Sequence, residues 1–257
     1  WIVTGLNEGT VTGVGGGFTG IEHLVGGTSV DSFIIEGGSL SGSIKGNAGS
    51  DILMGDDTEN TWVITCLNAG TLTYNPTIAF EEIENLEGGT SQDNFILNGG
   101  TVNGSLDGNG GFDKLTGDNK ANTWAVTGEK AGTVTGVVGG FIGIENLEGG
   151  TDRDDFILAG GSLSGSIDGN GGFDKLTGDD LRNIWTVTGL NAGMVTGISG
   201  GFTGIESLVG GILQDDFFLK KDGALDGSLD GNEGDDTITG DNVDNTWIVN
   251  GLNKGTI

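Results

Sequence analysis

Proline occurs once in this 257-residue chain (Pro76), cysteine once (Cys66) and histidine once (His23), and Lys and Arg together number only 10. Each scarcity excludes something. One proline and no Gly-X-Y triplet remove collagen and polyproline helices. A single cysteine removes a disulfide framework; Gly5, Gly128, Gly189 and Gly251 stand at its place in the other copies of a repeat described below, so Cys66 reads as drift. No apolar run is long enough to cross a bilayer, so no membrane insertion is expected in this segment. No stretch repeats its apolar residues at the helical period. With 37 acidic residues and a net charge of −27, nucleic acid and anionic membrane surfaces are excluded as partners, and cations become the natural counter-species.

Glycine is abundant instead. Its 55 copies punctuate short runs in which apolar and small or polar residues alternate, such as Trp1-Ile2-Val3-Thr4-Gly5 and Gly9-Thr10-Val11-Thr12-Gly13. Such runs, bounded by Gly, Asn and Asp, predict short strands and tight turns throughout.

All five tryptophans recur at a fixed period: Trp1, Trp62, Trp124, Trp185 and Trp247. The last four follow an Asn two residues back (Asn60, Asn122, Asn183, Asn245). The chain therefore divides into repeats 1–61, 62–123, 124–184 and 185–246 and a partial repeat 247–257, in one continuous array. Opening at a Trp and stopping in mid-repeat is expected of a window on a longer array.

A shorter step lies inside the long one. Asp31 and Asp51 are 20 residues apart, as are Asp93 and Asp113, and Asp154 and Asp174; Asp215 and Asp236 are 21 apart. Apolar residues keep a similar step in three series: Trp124, Ile144, Leu163, Trp185; then Val126, Leu147, Ile167, Val187; then Val134, Phe156, Leu176, Val195. The spacing predicts an all-β parallel β-solenoid (β-helix) with about 20 residues per turn and three turns per repeat, stacked about 4.8 Å apart into a rod of about 60 Å. Known parallel coils make the expected hand right. The extra residues near Tyr74-Asn75-Pro76-Thr77 and Lys220-Lys221-Asp222 are expected to bulge at corners.

Two segments per repeat resemble the calcium-binding nonapeptide of secreted repeats-in-toxin (RTX) proteins. One is Gly46-Asn47-Ala48-Gly49-Ser50-Asp51-Ile52-Leu53; the other is Gly26-Gly27-Thr28-Ser29-Val30-Asp31-Ser32-Phe33. That resemblance implies Ca²⁺ between successive turns. Its candidate ligands are Asp31, Asp51, Asp93, Asp113, Asp154, Asp174, Asp215 and Asp236, with Asp56, Asp118, Asp179 and Asp241 as possible additions. The motifs never run in unbroken tandem, which limits each repeat to one site. The same residues have a plainer reading, in which Asp and Asn turn corners by bonding backbone N–H groups.

The whole unit, with Ile83-Glu84-Asn85-Leu86-Glu87-Gly88-Gly89 and its equivalents, resembles the repeats of giant secreted bacterial adhesins and surface proteins of the filamentous-haemagglutinin type. The resemblance implies an extracellular or cell-surface structural fibre without enzymatic activity. Its implied contacts are end-to-end self-association or continuation in a longer chain, and a cell-surface or carbohydrate receptor. A calcium-binding module whose folding is metal-linked is the alternative, and a polysaccharide-active β-helix enzyme a distant third. Glu22, Glu84, Glu145 and Glu206 recur once per repeat and are expected to face outward, since a catalytic carboxylate is not normally repeated four times. The Thr-x-Thr segments are too sparse for an ice-binding face.

Overall fold

A computed structural model describes residues 1–73 and 76–256. The described chain is all β: two sheets of 14 strands each, and a separate two-stranded pair, Ile248–Gly251 with Lys254–Thr256. Strands from successive passes pair in parallel, apart from one antiparallel excursion per repeat, so the chain is a parallel β-solenoid.

The second repeat shows how the coil is wound. Asn60–Cys66, Ala69–Thr73 and Ile78–Glu81 form an antiparallel three-stranded meander in one sheet. The chain then crosses to Asn85–Glu87 in the opposite sheet, back to Asp93–Leu97, across to Leu106–Asp107, and back to Lys114–Thr116. Within this stretch the 20-residue step holds, with Phe95 over Leu115 and Leu86 over Leu106. Across the meander the step lengthens to 33 residues, with Phe95 over Trp62 and Leu86 over Leu53.

Three full turns per repeat are therefore not what forms. The meander counts as one station, each of the other four strands as another, and two stations make a turn, so a repeat is two and a half turns. A uniform 20-residue step would leave no room for strands that pair with their own neighbours. Asn68 at φ 53° makes Asn60–Cys66 and Ala69–Thr73 a hairpin, because it lets the chain reverse two residues after Cys66. An odd number of stations sends successive repeats to opposite sheets. The Trp1 and Trp124 strands lie in one sheet, and the Trp62 and Trp185 strands in the other.

The core is a single column between the sheets, and all twelve residues of the three predicted apolar series are buried in it. Their stacking partners differ from the series as read. Leu147 sits over Ile167 and Phe156 over Leu176, but Val126 pairs with Leu158 rather than Leu147. Each inner Trp stacks on the Phe of the next strand in its sheet (Trp124 on Phe156, centroids 5.5 Å apart) and meets the Phe of its own meander edge-on (Phe141, 6.5 Å). Gly132 lies between Trp124 and Phe141 in the middle strand. A side chain there would run into the Ala125 carbonyl and the Phe141 ring.

At the second expected corner, Asp222 takes φ 68° and the Gly223 N–H bonds Lys220 O at 2.8 Å, a small external turn. The bulge expected at Tyr74 and Asn75 lies outside the described residues.

Candidate functional site

The recurring polar feature is a ladder of carboxylates along the turns between the sheets. The sequence pairs Asp31 with Asp51, Asp93 with Asp113, Asp154 with Asp174 and Asp215 with Asp236, and the fold brings each pair together. The backbone N–H of the first member donates to Oδ1 of the second, at 2.7, 2.7, 2.7 and 2.9 Å respectively. The first member turns its own carboxylate onto other N–H groups. Asp93 Oδ2 accepts from Gly89 N at 2.7 Å and its Oδ1 from Asn60 N at 2.9 Å, and Asp154 does the same with Gly150 N and Asn122 N.

A glutamate completes three of the four rungs. Glu84 Oε2 accepts from Asp51 N at 2.9 Å, and Glu145 and Glu206 accept from Asp113 N and Asp174 N at 2.6 Å. These glutamates were expected to face outward. Glu145 and Glu206 are instead buried and Glu84 half-buried, because the Asp N–H ahead of each short strand needs an acceptor that the ladder does not supply. The other oxygen is held as well. Asn68 Nδ2 donates to Glu84 Oε1 and Asn191 Nδ2 to Glu206 Oε1, both at 2.8 Å, while in the third repeat Lys130 Nζ reaches Glu145 Oε1 at 2.9 Å. The sequence signal was the recurrence of Glu itself, once per repeat, with Glu84, Glu145 and Glu206 standing 33, 32 and 32 residues after Asp51, Asp113 and Asp174.

The Asn before each Trp has a defined task. Asn122 Nδ2 donates to Asp118 O and Lys120 O at 2.8 and 2.7 Å, closing the loop that feeds the Trp124 strand; Asn60, Asn183 and Asn245 repeat the pattern. Asp56 and Asp118 belong to these loops and not to the Asp pairs: Asp56 Oδ1 accepts from Thr58 N and Oγ1, and Asp118 pairs with Lys120. His23 is exposed with Nδ1 2.9 Å from Ser43 Oγ, and Cys66 is exposed.

The donor set decides the fit of a calcium ion. Ca²⁺ takes six to eight oxygens that nothing else occupies. Here most of the Asp oxygens accept N–H bonds. The loop carbonyls that face them, Gly26, Gly88, Gly149 and Gly211, accept from the side-chain amides of Asn47, Asn109, Asn170 and Asn232 at 2.7 to 3.0 Å. Among the described residues no three His, Cys, Asp or Glu side chains converge to hold a metal. The ladder as built does not fit the ion.

In three of the four rungs one oxygen is left over. Asp51, Asp113 and Asp174 are fully buried, and Oδ2 of each has no hydrogen-bond partner. Beside Asp113 Oδ2 lie the missing side chain of Gly108 and the Gly143 carbonyl. Burial pushes Asp113 and Asp174 up to about 7, against the lowering effect of the N–H bonds from Asp93 and Asp154. The neighbouring Glu145 and Asp93, and Asp154 and Glu206, add to the rise. Burial likewise raises Asp51, Asp93 and Asp154.

No family model and no curated protein matches the chain. The geometry of the ladder is that of an internal scaffold: carboxylates engaged by backbone N–H groups, with one rung in each repeat.

Proposed function

We propose that the chain is a structural segment of a secreted bacterial surface or matrix fibre or adhesin, located outside the cell, whose task is to span distance as a stiff rod. The observation that carries this reading is the sameness of the rungs. Asn60–Asp93–Asp113–Glu145 is repeated as Asn122–Asp154–Asp174–Glu206 through the same atoms. A catalytic centre needs one place in the molecule unlike the others, with a nucleophile or acid facing a cleft. These carboxylates face backbone.

Length is the property such a segment offers. Along either sheet, seven strand spacings separate Trp strands two repeats apart, about 34 Å at 4.8 Å per strand. Because stability is a sum of neighbour terms, repeats can be added or removed without changing the fold. Removing residues 62–184 should shorten the particle by about 34 Å in small-angle X-ray scattering and leave its cross-section unchanged. A compact globular profile would sink the rod reading, and turnover of an acidic polysaccharide would replace it with an enzymatic one. Antibody labelling of intact producing cells tests the extracellular location.

A further inference from the structure

We infer that the fourth repeat carries a binding site, built on Phe218, Lys220 and Lys221, for a sugar that bears a carboxylate. The inference rests on the surface-adhesin reading and deepens it by naming the surface and the class of ligand.

The site begins where the repeat is broken. At one corner the other three copies turn on a pair of glycines: Ile34-Ile35-Glu36-Gly37-Gly38, Ile96-Leu97-Asn98-Gly99-Gly100 and Ile157-Leu158-Ala159-Gly160-Gly161. The fourth reads Phe218-Leu219-Lys220-Lys221-Asp222-Gly223, one residue longer. Gly223 keeps the place of Gly161, each packed against the backbone of the preceding Trp strand at Val187 and Val126. The inserted turn is fixed: Lys220 N donates to Val187 O at 2.9 Å and Gly223 N to Lys220 O at 2.8 Å, with Asp222 at φ 68°. Phe218 takes the place of the three isoleucines on the outer face of its strand, between Thr186 and Thr239. With Thr239, Asp241 and Asn242 of the neighbouring coil, the phenyl ring and the two lysines line an open cleft of about 360 Å³, a volume in the range of small-molecule sites. Both walls lie within the chain, on consecutive coils joined by strand pairing.

Charge singles this cleft out. Every Lys and Arg from Lys45 to Arg182 pairs with a carboxylate. Among the described residues Lys220 and Lys221 make no such pair. Lys220 Nζ lies 5.3 Å from the centre of the Phe218 ring, a cation–π contact that holds the ammonium at the cleft instead of letting it trail into solvent. Two adjacent ammonium groups without a partner match the two oxygens of a carboxylate.

The opposite wall asks for more than an anion. Asp241 Oδ1 accepts from Val243 N at 3.2 Å, and an ionised carboxylate can use its other oxygen only to accept from a hydroxyl or an N–H. Thr239 and Asn242 beside it both donate and accept. A ligand that satisfies both walls carries a carboxylate for the lysines, hydroxyl groups for Asp241 and Asn242, and a C–H face for Phe218. These are the parts of a uronic sugar ring. The distant carboxylates of the rod do not prevent its approach, because physiological salt screens exposed charges beyond about 8 Å.

The test is isothermal titration of the 257-residue chain with trigalacturonate at physiological salt. One saturable site per chain is expected, with the sugar recovered uncleaved and with no competition from an equal concentration of acetate. Neutral galactotriose should bind more weakly by about tenfold or more, as should trigalacturonate to the double variant Lys220→Ser, Lys221→Ser. Phe218→Ile, which restores the residue of the other repeats, should also weaken binding, and Lys120→Ser, in another loop, should not. None of these variants should change the melting temperature, since the altered side chains lie on the outer surface. Absence of saturable binding, binding that survives loss of both lysines, equal affinity for the neutral sugar, or displacement by acetate overturns the inference, while the scattering experiment above still stands for the rod. Cleavage of trigalacturonate overturns the structural reading on which the inference rests.

Discussion

Trp62 and Trp124 hold the same place in successive repeats, yet they lie in opposite sheets. The repeat seen along the sequence is therefore half of the repeat seen in space. A feature displayed once per repeat appears on alternate sides of the rod and returns to the same side only after two.

The inner tryptophans set the stability of the column. Trp124→Ala removes a fully buried ring stacked on Phe156 and should cost about 3–5 kcal/mol in urea unfolding. Trp247 is 47% exposed, and Trp247→Ala should change stability by no more than about 0.5 kcal/mol. Equal losses at the two positions would contradict the packing described.

Asn122→Ala leaves Asp118 O and Lys120 O without their amide donor, and the predicted loss is about 1–3 kcal/mol. Asn245 makes the same two bonds in an exposed loop, where water can replace the amide, so Asn245→Ala should be nearly silent. Thermal melts of the two variants side by side make the comparison.

Protonation of the ladder gives stability a definite slope with pH. Asp113 and Asp174 sit at about 7 in the folded chain, against about 3.9 when unfolded. The native state binds more protons across this window, so stability is greatest near pH 4 and falls as pH rises towards 7. The groups facing Asp113 are Asp93, Glu145 and Lys130; those facing Asp174 are Asp154, Glu206 and Asp155. The double variant Asp113→Asn, Asp174→Asn keeps the acceptor for the Asp93 and Asp154 N–H groups and is always neutral. It should flatten the slope and be the more stable protein at pH 8. A double variant with the slope of the parent would disprove the assignment.

Lys130 does in the third repeat what Asn68 and Asn191 do in theirs, donating to the ladder glutamate. Lys130→Asn should therefore be tolerated within about 1 kcal/mol, whereas Lys130→Met leaves buried Glu145 short of a donor and should cost about 1–3 kcal/mol. Chemical denaturation separates the two.

Calcium should leave the melting temperature unchanged after chelation and re-addition, because most of the ladder oxygens and the loop carbonyls beside them already accept hydrogen bonds, leaving one free oxygen on each of Asp51, Asp113 and Asp174. An upward shift with about one ion per repeat would mean that the Asp pairs release their N–H partners to the metal.

The strand-and-turn character, the pairing of Asp93 with Asp113 and its equivalents, and the identity of the core residues in the three apolar series were legible in the sequence. These depend on local rules: side chains alternate along a strand, and Asn47, Asn109 and Asn170 mark corners by accepting positive φ (67°, 58° and 60°). The tertiary structure alone decided three other things. It folded the strands after each Trp into a meander, wound each repeat into two and a half turns, and drew Glu84, Glu145 and Glu206 inward. The meander turns on a hairpin between neighbouring strands, and the winding and the burial of the glutamates on which strand lies alongside which 32 or 33 residues away; spacing encodes neither choice. The fate of the aspartates was hidden for a related reason. A carboxylate at a glycine-rich corner suits a cation and a backbone N–H equally well, and only the position of the neighbouring coil determines which one it meets.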